Sequence, residues 1–75
     1  MNEQRRKEVQ NLMGQLVSIE SQLETLRDSE QDAFDNMSEG LKDSEKGEQI
    51  EANISSLEDA ICNCQACVSD LEAIP

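Results

Sequence analysis

The chain has 75 residues, a formal net charge of −11 and a single aromatic side chain, Phe34, with no Trp, Tyr or His. That length allows one small domain. The acidic balance argues against direct phosphate binding, which needs clustered Lys and Arg, and the lack of His removes the usual general base and metal ligand.

From about residue 3 to residue 32 there is no Pro, and the only Gly is Gly14. This predicts one long helix, roughly 45 Å at 1.5 Å per residue. Leu12, Leu16, Ile19, Leu23 and Leu26 recur at alternating steps of four and three, the pattern of a coiled-coil seam. Met13 and Val17 lie just off that seam. They widen the apolar face on one flank, as a bundle helix requires. Gly14 either permits a close helix approach or is merely tolerated, at about 1 kcal/mol against Ala. Glu24 and Arg27 are spaced for an i,i+3 ion pair.

The stretch DAFDNMSEGLKD, residues 32–43, breaks the pattern. Asp35, Asn36, Ser38 and Gly40 are turn formers, so a linker is predicted over about 33–43. Phe34, Met37 and Leu41 are spaced to lie together. They either close the end of the hairpin as a lid or form an exposed contact site, with Asp35, Asn36 and Glu39 supplying polar recognition. These six residues are the candidate partner-binding set. Asp43 or Ser44 suits an N-cap, and Glu45 and Glu48 then fall where the helix dipole favours acids.

A second helix is predicted over about 44–73. Its seam is Ile50, Ile54, Leu57, Ile61, Cys64, Val68 and Leu71. One flank carries Asn53, Ala60, Cys67 and Ile74, and the other carries Glu51, Glu58, Gln65 and Glu72. Read against each other backwards, the two stripes place Leu26 opposite Ile50, Ile19 opposite Leu57 and Leu12 opposite Cys64. The basic start of the chain, Arg5, Arg6 and Lys7, then approaches Asp70 and Glu72. The expected fold is all-α, an antiparallel, coiled-coil-like helical hairpin. A lone hairpin of this size has a stability near zero, so the pattern predicts a homodimeric four-helix bundle. Met13, Val17, Ala60, Cys67 and Ile74 are the candidate dimer interface.

Little in the sequence suggests chemistry. Cys62 and Cys64 project about 200° apart on a helix and cannot chelate one ion together. Cys64 falls on the seam and Cys67 beside it, where both act as small hydrophobes. No Ser–His–Asp set and no phosphate-cradling Gly loop is present. The reading is therefore no enzyme, no metal and no cofactor. No apolar run suggests a signal peptide or membrane span, which predicts a cytoplasmic chain with reduced thiols.

The segment EQDAFDNMSEGLKDSEKGE, residues 30–48, resembles the turn of short coil-containing helical-hairpin proteins of bacteriophages and prophages. That pattern runs E-Q-x-A-F-D-N, then a proline, an acid and S-E-x-G. Glu30, Gln31, Ala33, Phe34, Asp35, Asn36, Glu39, Ser44, Glu45 and Gly47 match it, and Ser38 stands in the place of the proline. The resemblance implies a phage-type protein, placed in the host cytoplasm, that binds a host or phage protein. A host defence or nucleic-acid-handling enzyme that it inhibits is the expected target. An acidic surface imitating DNA and a purely structural bundle are the alternatives.

Overall fold

A computed structural model describes all residues, Met1–Pro75. It is all-helical: α1 spans Glu3–Asp35, α2 Glu39–Lys42 and α3 Glu45–Glu72. Local capping explains each start. Asn2, Ser38 and Ser44 have extended backbones, and their side chains accept from the N–H groups of Arg5, Leu41 and Gly47, respectively. Each bond satisfies a donor that the first helical turn leaves free.

The helices α1 and α3 pack antiparallel into a rod of 58 × 15 × 12 Å. Two side-chain bonds fix the pairing. Asn53 Nδ2 donates to Glu30 at 3.3 Å, and Gln65 Nε2 donates to Glu20 at 2.7 Å. Glu20 therefore lies opposite Gln65, whereas the sequence pattern had put its neighbour Ile19 opposite Leu57. The register is displaced by about one heptad from the expected one. Seven residues restore the same helix face, so the apolar spacing alone does not distinguish the two.

The seam of α3 is the expected one. Ile54 and Ile61 are buried, and Ile50, Leu57, Cys64, Val68 and Leu71 are half-buried. The seam of α1 is rotated. Val9, Met13, Leu16, Glu20, Leu23, Arg27, Glu30 and Phe34 face α3, while Leu12, Ile19 and Leu26 stand 50%, 46% and 55% exposed. Long polar chains tolerate a seam position because their stems lie along the apolar groove while their ends reach water.

The turn also departs from expectation. α1 continues three residues past 32, so Phe34 and Asp35 are helical and Gln31 donates to Asp35 at 3.0 Å. Most of the expected linker over 33–43 is thus helix, the last turn of α1 and then α2. α2 folds back onto the start of α3 at Gly47. A Cβ there would lie 2.6 Å from the Leu41 carbonyl oxygen and closer still to that of Lys42. Only a residue without a side chain permits that approach.

The charge pairing is local. Lys7 pairs with Glu3, Arg27 with Asp28 and Lys42 with Glu39, in place of the expected Glu24–Arg27 pair. Arg5, Arg6 and Lys7 make no ion pair with Asp70 or Glu72. The shifted register leaves residues 3–8 of α1 exposed at the open end, where Arg6 borders the groove beside Leu71 and Glu72 without an ion pair. Gly14 has nothing within 4 Å of a Cβ position, so it serves no close approach within the hairpin. No helix is long and apolar enough to cross a membrane.

Candidate interaction surface

The rotation of α1 gives the rod two unlike broad faces. On one, Leu12, Ile19, Leu26 and Ala33 follow one another at heptad steps along α1. The bond from Asn53 to Glu30 and the shallow groove shared by Leu26, Asn53, Ser56 and Leu57 put the flank of Asn53, Ala60 and Cys67 beside that row. Neither row carries a charged side chain between Leu12 and Ala33 or between Asn53 and Cys67 at these positions. On the opposite face, Val17, Glu24 and Gln31 of α1 run beside Glu51, Glu58, Gln65 and Glu72 of α3, joined by the Glu20–Gln65 bond. One face is apolar or small and the other is acidic.

The candidate dimer residues divide between these environments. Ala60 and Cys67 lie on the apolar face. Met13 lies in the hairpin's own seam, sharing a cleft with Val9, Leu71 and Ile74. Val17 is exposed on the acidic face. Leu12, Ile19 and Leu26, expected in the core from their spacing, are instead surface residues. The available signal was the width of the stripe. α1 carries apolar residues on both sides of Leu16 and Leu23, more than one partner helix can cover.

The candidate partner-binding residues gather at the turn end, but not as one patch. Phe34 is half-buried in α1, beside Glu51, Ile54 and Ser55 of α3. Lys42 Nζ sits 5.4 Å from the centre of its ring, a cation–π distance, and 3.5 Å from the Glu39 carboxylate. Met37 is half-buried in the turn. Phe34 and Met37 are therefore placed to close the end of the hairpin. Leu41, on α2, is exposed, as are Asp35, Asn36 and Glu39.

The S-E-x-G segment acquires a physical account. Ser44 caps α3, Glu45 lies in its first turn, and Gly47 leaves room for the carbonyls of α2. Ser38 has φ −66°, the value that a proline ring imposes.

All three cysteines are free. Cys62 and Cys67 are exposed and Cys64 is half-buried in the seam. No three Cys, Asp or Glu side chains converge as a metal site would require. The open grooves along the rod belong to the helix–helix seam. The sequence matches no protein-family model, and no curated protein or solved structure proved similar to it.

Proposed function

We propose that this chain is a non-enzymatic, phage-type protein that works by binding protein, first a second copy of itself and then a partner in the host cell. The observation that carries the reading is the apolar balance. Only Ile54 and Ile61 are buried among the large apolar residues, while Leu12, Ile19 and Leu26 form an exposed row. A row of that kind on a small rod marks a protein-contact surface. A homodimeric four-helix bundle covers it, with two hairpins face to face. The turn end, where Leu41, Asp35, Asn36 and Glu39 are exposed, is left as the surface for the partner. The phage origin rests on the turn segment around Phe34 and Gly47, and a host defence or nucleic-acid-handling enzyme is the class of target it suggests.

Two measurements test this reading. Sedimentation equilibrium at micromolar concentration is expected to give twice 8.4 kDa; a helical monomer at every concentration would refute the dimer. Affinity capture from host lysate is expected to retain a protein with the native chain and to lose it with Leu41→Glu. Retention by both forms would move the partner surface away from the turn end. A steep loss of capture with added salt would point instead to the acidic face, as imitation of DNA requires.

A further inference from the structure

We propose a specific geometry for self-association: α1 packs antiparallel to the partner's α1, with the two-fold axis passing beside Ile19. The proposal rests on the dimer reading above and deepens it.

Three features point to this arrangement. The first is the symmetry of the exposed row. Leu12 and Leu26 lie one heptad to either side of Ile19. In a two-fold interface the same patch meets itself. Turning one copy end for end about Ile19 lays Leu12 on the partner's Leu26 and Ile19 on the partner's Ile19. All three large side chains of each copy are then covered by equally large ones.

The second feature is the neighbouring row on α3. The same rotation brings α3 against the partner's α3, with Ala60 beside the partner's Cys67. Both residues are small and uncharged, and their flank carries none of the glutamates found on the other side. The two α3 helices can approach without bringing their acidic flanks together.

The third feature is the distribution of charge along the rod. The first turns of α1 carry Arg5, Arg6 and Lys7, all exposed, and only Arg6 reaches the groove beside Leu71 and Glu72 at the end of α3. Over residues 27–43 the turn end carries Asp28, Glu30, Asp32, Asp35, Glu39 and Asp43 against Arg27 and Lys42, a net −4, whereas residues 1–10 carry three bases against Glu3 and Glu8, a net +1. The antiparallel dimer lays each basic start along the acidic turn end of the partner. The competing two-fold arrangement, with α1 on the partner's α3, stacks the two acidic turn ends on one another. Unlike charges across an interface select register and orientation, and here they favour the antiparallel form.

A charge exchange tests the geometry. One variant carries Arg5→Glu, Arg6→Glu and Lys7→Glu, and the other carries Asp32→Lys and Asp35→Lys. All five positions are exposed, and circular dichroism checks that each variant stays helical. Each variant alone is expected to dimerise on the order of tenfold more weakly than the native chain. An equimolar mixture is expected to recover native affinity as a heterodimer, read by native mass spectrometry, because both of its ends are then complementary. If the native chain is dimeric but the variants pair statistically and with native affinity, the dimer stands and the antiparallel geometry is overturned. If the native chain is monomeric throughout, the dimer reading itself fails, and the geometry with it. A second pair locates the face. Ile19→Lys is expected to give a helical monomer and Val17→Lys, on the acidic face, a dimer; the reverse result overturns the proposal.

Discussion

α1 and α3 carry similar heptads and meet different fates. α3 gathers its apolar residues into one seam, buries Ile54 and Ile61 there, and presents Glu51, Glu58 and Glu72 on one flank. α1 buries nothing fully. It gives the seam Glu20, Arg27 and Glu30 as well as Leu16 and Leu23, and leaves Leu12, Ile19 and Leu26 outside. A helix with one narrow stripe has one way to face its neighbour. A helix with a wide stripe has two, and the surplus apolar surface becomes available to something else. α3 is the more hydrophobic helix, yet it is α1, with its wider stripe, that leaves large apolar side chains outside.

The strongest test of this contrast compares one residue from each helix in the monomeric chain, with sucrose added to hold the native hairpin folded. Ile61→Ala removes a side chain that is 5% exposed and is expected to lower stability by about 2–5 kcal/mol. Leu26→Ala, on the outer row, is expected to lower it by less than about 1 kcal/mol. Thermal melts by circular dichroism read both. Equal losses would mean that the outer row of α1 lies inside the hairpin and that the two helices are alike after all.

Two glycine substitutions sharpen the contrast further. Gly47→Ala drives a methyl group into the carbonyls of α2. The overpacking outweighs the helix propensity gained, and a net loss of about 1–2 kcal/mol is expected. Gly14→Ala meets open space in α1 and is expected to raise stability by about 1 kcal/mol. Melting shifts of the same sign at both would contradict the placement of α2 on α3.

The smallest expected effect tests the rotation of α1 directly. Glu20→Leu fills a seam position at the loss of the Gln65 bond. A gain of about 0.5–1 kcal/mol is expected if Glu20 faces α3. No change in melting would place Glu20 on the surface, off the stripe of Leu12, Leu16, Ile19, Leu23 and Leu26.

These cases also mark what could be read from the residues alone. The seam of α3 was legible in full, because its apolar residues fall on one stripe and its flanks differ in charge. The helix starts were nearly legible, since Ser44 before Glu45 and Glu48 is a local signal. The seam of α1 was legible only at Val9, Leu16 and Leu23, which belong to either half of its wide stripe. The register was not legible, because a shift of about seven residues leaves a heptad pattern unchanged. Nor does any periodicity report the fold-back of α2 onto Gly47, which sets the path of the chain between the two helices. The same blindness hid the exposure of Leu12, Ile19 and Leu26 and the place of Met13 in the hairpin's own seam.

The fold-back at Gly47 also orders the folding of the rod in time. Contacts between α2 and the start of α3 close a loop of only a few residues, so they form early and at little entropic cost. Once Gly47 is seated, the next layer, Phe34 beside Ile54, has its partner chosen, and pairing proceeds from the closed end to the open one. Alignment is settled at one place and inherited by the rest. A disturbance there is expected to act on the rate of folding, whereas one near Val9 and Leu71 is expected to act on the rate of unfolding. Stopped-flow folding of Gly47→Ala beside Leu71→Ala separates the two, and slowed folding of Leu71→Ala alone would mean that the open end leads. The turn is thus the point at which a sequence compatible with two alignments commits to one.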